Sequence, residues 1–350
     1  MYSVYSVAPS LISIILPVHN AVKTVGAAVD SCLNQTHRQI ELLVIDDAST
    51  DGTSEILKTY GNRIHHHQLE KQGGVAAAFQ FGLDQAQGQW IARMDGDDLS
   101  HPDRLSKQIA LLQSHDELEA VSCLVDIRKR VGDELKPANE GYRRFARWLN
   151  SLTTPEAIAK QRFIDQPLVN PTMLVRKRVF EALGAYRSDL DWAEDYDFWL
   201  RLLDAGHKIA KVPEVLFTWT DHPYRLTRTN EDYTQDAFTH CKAHFLSKLP
   251  RVQDQGVIIG GAGPIGKSMA KALYGVQTAQ PRVNDVRSLQ CRNADALLGR
   301  HQTHRAPEVV NCLAGRSATE VNTAVLVKRW HLLRRAWHAR PCWKEQIQRI

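Results

Sequence analysis

The sequence predicts an α/β protein built on a mainly parallel sheet with flanking helices, followed by a smaller module. Apolar, β-rich runs alternate with helical segments from residue 12 onward, as parallel strands joined by crossover helices require. The chain has 350 residues, more than one average domain. Hydrophobic residues make up 43% and charged residues 24%, which excludes fibrous and wholly disordered classes.

The first half of the chain carries the clearest alternation. Its predicted elements are a strand at 12–18, a helix at 21–35, a strand at 42–45, a capped helix at 49–60, a strand at 64–69, an Ala-rich helix at 75–86 and a strand at 90–94. Three of these strands end in polar residues, namely Asn20, Asp47 and the cluster Asp95–Asp98. Because ligands bind outside the carboxyl ends of strands in open α/β sheets, we expect these residues to converge on one crevice.

The second half is predicted with fewer strands. Its elements are a helix at 102–114, a strand at 120–128, a polar surface excursion at 132–155, a helix at 177–183 closed by Gly184, a helix at 192–205, a strand at 209–219 interrupted by Pro213, and a helical connector at 230–248. Glu194 and Asp195 open one of these helices, where the macrodipole favours negative charge.

The Asp95-Gly96-Asp97 triplet is the most informative motif. Two carboxylates separated by one small residue can both reach a hard divalent cation, and Gly96 lets the backbone approach a nucleotide. Such triplets are frequent in solvated turns, so the weight comes from the preceding strand and from Asp47 nearby. The pattern therefore predicts a metal–diphosphate site.

Residues 12–230 resemble a family 2 glycosyltransferase of the GT-A fold. The stretches that carry the resemblance are ISIILPVHN, ELLVIDDASTDGT, GLDQAQGQWIARMDGDDLSHPDRL, NPTMLVRK and AEDYDFWLRL. The resemblance implies a GT-A-type nucleotide-diphospho-sugar transferase sheet, an inverting transferase of the hexosyltransferase type, a nucleotide-diphosphate sugar that is most naturally UDP-linked, Mn²⁺ or Mg²⁺, and an acceptor hydroxyl.

The resemblance also implies roles for individual residues. The nucleotide-sugar site would comprise Pro17, His19, Asn20, Asp47, Asp95, Gly96 and Asp97. Asp47 would accept the N3–H of a uracil, since a carboxylate only accepts hydrogen bonds. The metal ligands would be Asp97, Asp95 and His222, and the catalytic residues Asp195, as general base, and Glu194.

The resemblance also concerns residues outside this set. Arg225 would offset leaving-group charge, with a solvated loop as the alternative for it and His222, and Thr172 would border the acceptor. The family commonly has Asn where this chain has Gln72 and Gln80, so those contacts are left out of the site.

A glycine motif follows a predicted strand at 257–259. It reads Gly261-x-Gly263-x-x-Gly266, with Asp285 downstream, as a Rossmann-like dinucleotide site requires. The segment before Asp285 is not strand-like and about 95 residues remain, so we expect a small Rossmann-like module without NAD(P) use. The predicted domains are a GT-A domain at 1–230 (nucleotide half 10–110, acceptor half 111–230), a connector at 231–255 and this module at 256–350.

The charge is divided unevenly. Residues 1–250 hold 28 Lys and Arg against 33 Asp and Glu, whereas the last hundred residues hold 16 against 6. The basic tail at 328–349 contains three Trp, which suggests peripheral contact with an anionic membrane or a solvated helix, and no nucleic-acid motif accompanies it. Without a membrane span, a signal sequence or paired Cys motifs, we expect a cytoplasmic enzyme, at most peripheral to the inner face of the membrane.

The sequence thus favours a metal-assisted glycosyltransferase acting on a glycan or lipid-linked acceptor in cell-surface polysaccharide synthesis. Two alternatives remain: a noncatalytic regulatory protein that binds a nucleotide through the C-terminal glycine motif, and a sugar nucleotidyltransferase. The second would want a glycine-rich N-terminal loop bearing Arg or Lys, which this sequence lacks.

Overall fold

The structure is a computed structural model that describes residues 11–255, 257–260, 263–277 and 287–289. Contacts divide the chain into two compact units between Thr234 and Gln235. The first unit contains a nine-stranded sheet with the order β3-β2-β1-β4-β8-β6-β9-β5, and β7 pairs with β6. Its strands are β1 Ile12–Val18, β2 Ile40–Asp46, β3 His65–Gln68, β4 Trp90–Arg93, β5 Leu99–Ser100, β6 Leu118–Val131, β7 Glu134–Pro137, β8 Leu174–Arg176 and β9 Lys208–Asp221.

Helices flank this sheet. They are α1 Val25–Leu33, α2 Thr53–Lys58, α3 Gly74–Gln85, α4 Arg104–Ser114, α5 Glu140–Ser151, α6 Pro155–Gln161, α7 Lys177–Leu183, α8 Glu194–Asp204 and α9 Leu226–Thr229. Along β1 successive side chains enter different cores, since Ile14 and Leu16 pack in one cluster and Ile15 in the other. The sheet is therefore buried on both faces, and this explains why every residue of β1 except Ser13 is apolar.

The predicted parallel half is confirmed. Strands β1 to β4 pair in parallel, and the pairing of β1 with β4 ends at Ile15 and Arg93. Beyond that point the two strands separate. Pro17 lies two residues further along β1, where the lost partner leaves no ladder bond for its missing N–H to break. The separation lies at the carboxyl edge of the sheet, where the ligand crevice is expected.

The other half of the sheet is mixed. Strand β8 is antiparallel to both β4 and β6, whereas β6 and β9 run parallel. Strand β9 continues through Pro213, where the prediction placed an interruption, and shifts of register between β6 and β9 absorb the irregularity. The two-residue strand β5 was not predicted.

The predicted surface excursion at 132–155 is wrong. It contains β7 and the whole of α5, which Asn139 caps by accepting the N–H of Tyr142 at 2.9 Å. Phe145 and Trp148 pack against the core, while Arg143, Arg144 and Arg147 of the same helix face solvent. The segment is an amphipathic helix whose high Arg content obscured its apolar face.

The second unit contains a short parallel pair. Its elements are α10 Gln235–Lys248, α11 Pro250–Gln255, β10 Ile258–Gly260, α12 Pro264–Gln277 and β11 Arg287–Leu289. Ile258 pairs with Arg287 in parallel, so the chain forms a strand, helix and parallel strand in that order. The strand predicted before the glycine motif is present as β10, and α12 follows the motif. Gly261, Asp285 and the tail at 328–349 lie outside the described residues.

We expect Ala48→Gly to stabilise the first unit. Ala48 has φ +57°, a left-handed conformation that costs an L-residue about 1–2 kcal/mol and glycine almost nothing. Allowing for the greater entropy of glycine in the unfolded chain, the free energy of unfolding should rise by about 0.5–1 kcal/mol in urea titrations. The control is Ala77→Gly, at an exposed helical position of α3, which should lower it by a similar amount. Equal effects at both positions would contradict the strain.

Candidate active site

The turn after β1 is joined to the turn after β2. His19 Nδ1 lies 2.7 Å from the backbone carbonyl of Asp47, and Asn20 Oδ1 accepts the N–H of Thr50 at 2.9 Å. Asn20 has φ +51°, and its own N–H donates to Ser49. His19 and Asn20 are exposed, so this linked pair of turns forms one wall of the crevice. Pro17, predicted to line the nucleotide, instead lies buried within β1.

The Asp47 carboxylate is buried behind that wall. Its two oxygens accept the backbone N–H groups of Gly73 and Gly74, at 2.7 and 2.8 Å, where α3 begins. A carboxylate has about four acceptor positions, so each oxygen keeps one beyond these bonds. The structure therefore fixes Asp47 at the start of a helix, close to the two turns.

Three carboxylates follow β4. One oxygen each from Asp95, Asp97 and Asp98 lie within 4.8 Å of one another. Asp98 is 1% exposed; its Oδ1 accepts the N–H of Thr220 at 2.7 Å, and its Oδ2 is buried without a hydrogen-bond partner. A buried charged oxygen without a partner is costly, and a cation among these oxygens would satisfy it. The residues present therefore fit a divalent metal ion.

The pKa shifts of this acidic triad have distinct causes. Burial raises the pKa of Asp98 well above its ordinary value, and the charges of Asp97 and Asp95 add to the shift. Burial also raises the pKa of Asp95, although Arg93 opposes it. The pKa of Asp97 is lowered, because the hydrogen bond from His222 and the charge of Arg225 outweigh burial. The triad thus concentrates negative charge that its neighbours only partly neutralise.

The segment after β9 closes the triad from the other side. His222 Nε2 lies 2.7 Å from Asp97 Oδ2. The guanidinium of Arg225 lies over the ring of Trp219, 4.3 Å from its centroid, which fixes a cation beside the acidic triad. The predicted neighbourhood of Asp95, Asp97, His222 and Arg225 is therefore present, although more than 120 positions separate the two aspartates from His222 and Arg225.

Gly96 packs closely against the end of β1. A Cβ atom at this position would lie 2.8 Å from Val18 Cγ1 and 3.6 Å from Ala21 Cβ. Glycine is required here because the backbone lies close to Val18. The sequence analysis had predicted that Gly96 makes room for a nucleotide. The contact also shows that the acidic triad lies against the turn after β1.

We expect Gly96→Ala to strain this contact. The added methyl meets a buried strand residue, so the free energy of unfolding should fall by about 1–3 kcal/mol in denaturant titrations. A double variant with Val18→Ala removes the opposing methyl groups and should recover part of the loss relative to Val18→Ala alone. If Gly96→Ala costs the same in both backgrounds, the contact with Val18 is not the cause.

The two acidic residues that begin α8 differ in environment. Asp195 is half-buried; Gln166 Nε2 donates to its Oδ2 at 2.7 Å and the N–H of Tyr196 to its Oδ1 at 2.7 Å. Glu194 is 9% exposed, and its Oε2 accepts the hydroxyl of Tyr233 at 2.5 Å. Burial raises the pKa of both, that of Glu194 to about 7. Asp195 is thus the more accessible base.

A buried arginine links the two groups of acids. Arg93, 5% exposed, forms an ion pair with Asp95 at 2.6 Å. The charges of Asp95 and Glu194 both favour its protonated form. Asp195 in turn feels the charge of Asp95. The acidic triad and the start of α8 therefore belong to one electrostatic site.

Sequence reasoning missed several of these residues. Asp98 was visible in the acidic cluster but was not assigned as a ligand, whereas Arg93, Gln166 and Tyr233 gave no local signal. Thr172, expected to border the acceptor, is fully buried; its hydroxyl bonds Ser122 Oγ and the carbonyl of Val169.

Two glutamines, Gln72 and Gln80, were left out of the predicted site. Gln80 bonds Asp84 on the exposed face of α3, and Gln72 is exposed.

A cavity of about 620 Å³ lies between β6, β9 and α5. Asn150, which lines it, bonds both backbone groups of Val125. Among the described residues, no helix is long and apolar enough to cross a membrane.

Comparisons with known proteins give one consistent result. The family model described as "Glycosyl transferase family 2" matches residues 13–184. A Bacillus subtilis (strain 168) protein named "Putative glycosyltransferase EpsE" is 32% identical over 235 residues, covering 65% of this chain and 77% of that protein. An "Uncharacterized glycosyltransferase" of Haemophilus influenzae is 29% identical over 245 residues, covering 69% of this chain and 72% of that protein.

A solved structure shares the fold. The crystal structure of S. aureus TarS 1–349 in complex with UDP-GlcNAc superposes with a TM-score of 0.52 at 19% identity, covering 76% of this chain and 71% of that chain. Identity at this level shows similarity of fold, and it supports the predicted GT-A-type sheet with flanking helices.

Proposed function

Because the chain belongs to glycosyl transferase family 2 and is therefore a glycosyltransferase, we propose that it moves a sugar from a nucleotide-diphosphate sugar to an acceptor hydroxyl, with inversion at the anomeric carbon. One observation carries the proposal. An acidic triad suited to a metal ion and a half-buried carboxylate suited to a base lie in one electrostatic site, linked by Arg93.

The donor would lie with its diphosphate at the acidic triad. Asp95, Asp97 and Asp98 would hold Mn²⁺ or Mg²⁺, which as a Lewis acid would neutralise charge on the departing nucleotide diphosphate. Arg225, fixed over Trp219, would add a second positive charge on the same side. His222 would either bind the Asp97 carboxylate beside the metal ion or ligate the metal ion itself.

The nucleotide base of the donor would lie against the wall formed by the turns after β1 and β2. His19 and Asn20 are exposed there, and Asp47 is held by two backbone N–H groups with acceptor positions remaining. A uracil N3–H fits such an acceptor. We therefore propose a UDP-linked sugar, and the UDP-GlcNAc bound in the TarS complex is the first donor to test.

Asp195 would accept the proton of the acceptor hydroxyl as that oxygen attacks the anomeric carbon. Burial raises its pKa, which makes the ionised carboxylate a stronger base, while Gln166 and the N–H of Tyr196 hold it in place. Attack from the side opposite the leaving nucleotide would invert the configuration. The acceptor would be a glycan or lipid-linked sugar of cell-surface polysaccharide synthesis.

A panel of nucleotide sugars tests the proposal. Nucleotide release is followed with UDP- and GDP-linked donors, with Mn²⁺ or Mg²⁺ and with EDTA, in the presence of glycan acceptors. We expect release from a UDP-linked donor that EDTA abolishes and added Mn²⁺ restores, and a product of opposite anomeric configuration by NMR. Retention of configuration would exclude the inverting mechanism. If no donor is consumed under any condition, the proposed function is wrong.

A further inference from the structure

A hydrogen bond joins the start of α8 to the end of the first unit. The Tyr233 hydroxyl donates to Glu194 Oε2 at 2.5 Å, and Glu194 precedes Asp195 in the sequence. Tyr233 closes the short helical turn Glu231–Tyr233, in the segment that follows His222. Tyr233 is therefore bonded to the residue that precedes the proposed catalytic base, although it lies 39 positions further along the chain.

We infer that Tyr233 is a positioning residue for Asp195 and acts through the carboxylate of Glu194. The inference rests on the proposed function, because it takes Asp195 as the base. The Tyr233 hydroxyl donates its one hydrogen to Glu194, and this bond fixes the Glu194 carboxylate and favours its ionised form.

The physical argument begins with the charge on Glu194. Burial and the charge of Asp195 disfavour ionisation of Glu194, whereas a hydrogen bond donated to the carboxylate favours it. The groups that face Glu194 are Asp195 on its own helix, Tyr233 on the following segment and Arg93 on β4, and Tyr186 feels its charge. Tyr233 and Arg93 are thus the side chains that favour the charged form of this buried carboxylate.

The charge on Glu194 matters because repulsion between two carboxylates is mutual. Asp195 raises the pKa of Glu194, so ionised Glu194 must in turn raise the pKa of Asp195. A higher pKa makes Asp195 a stronger base. Removing the Tyr233 hydroxyl should let Glu194 take up a proton, and Asp195 would then become a weaker base.

The variants for the test are Tyr233→Phe, Glu194→Gln and the double variant. Glu194→Gln imitates a permanently neutral Glu194. We expect each single variant to lower kcat by about tenfold at pH 7, with donor affinity within about twofold of wild type. In both, the acid limb of the kcat profile should move to lower pH. The matched control is Tyr224→Phe, a tyrosine of the same segment that is 85% exposed, and it should leave these values unchanged.

The double variant decides whether Tyr233 acts through Glu194. We expect it to lose no more activity than Glu194→Gln alone, since the hydroxyl then has no carboxylate to stabilise. Independent losses that multiply, or a Tyr233→Phe effect confined to the donor KM, would overturn the inference. If Tyr233 had only a structural role, Tyr233→Phe would leave the pH profile of kcat unshifted.

A second readout needs no turnover. The pKa of Glu194 is higher in the folded chain than in the unfolded one, so its contribution to stability is present at low pH and is lost as pH rises through about 7. Melting temperatures between pH 5 and 9 should show this transition in wild type, displaced to higher pH in Tyr233→Phe and absent in Glu194→Gln. A transition unchanged by Tyr233→Phe would overturn the inference even if sugar transfer is confirmed. The same series still decides the point if no donor is found.

Discussion

Replacing Asp97 by alanine should abolish sugar transfer. Asp97 is the central carboxylate of the acidic triad and the one whose pKa is lowered, so it is ionised and available to a cation. Losing one metal ligand removes much of the charge stabilisation at the leaving diphosphate, and we expect kcat/KM to fall by about 10³-fold or more. Nucleotide release measured across a Mn²⁺ titration checks this, with the apparent Mn²⁺ affinity falling in parallel.

The controls separate the metal site from general damage. Asp116→Ala removes an exposed carboxylate elsewhere in the first unit and should leave activity unchanged. His222→Ala removes the partner of Asp97 but keeps all three carboxylates, so we expect a smaller loss, about tenfold. Wild-type activity in Asp97→Ala would show that the acidic triad holds no catalytic cation.

Asp195→Asn should give the second large effect. The amide keeps the size of the carboxylate but cannot accept the acceptor proton, so we expect kcat to fall by about 10²–10⁴-fold. We propose that the donor binds at the acidic triad, away from Asp195, so its affinity should stay within about twofold of wild type. Single-turnover transfer and calorimetric UDP binding measure the two quantities separately.

The pH profile gives an independent check on Asp195. Because the base acts when ionised, kcat of the wild type should rise with pH through the pKa of Asp195, which burial places above its ordinary value. The residual activity of Asp195→Asn should lack that limb. Asp191→Asn, an exposed acid just before α8, serves as the matched control. Equal kcat in Asp195→Asn and wild type would assign the base elsewhere.

Local sequence predicted most of the sheet that carries the site. The compact β-rich run at Ile12–Val18 predicts strand β1, and the structure has this strand with the same bounds. The polar ends of β1, β2 and β4 could be brought together in advance, since parallel strands share one carboxyl edge. The spacing of Phe145 and Trp148 is typical of one apolar face of a helix, but the polar composition of α5 conceals this pattern.

The sequence by itself determined the family, the parallel half of the sheet and the acids at its edge, because strand patterns and motifs are encoded in neighbouring residues. Only the tertiary structure decided what those acids contact. Asp97 pairs with His222, Asp98 with the backbone of Thr220, Asp95 with Arg93 and Glu194 with Tyr233. Most of these partners are remote in sequence, and the protonation of a buried carboxylate depends on every charge that folding brings near it. No local pattern records that sum.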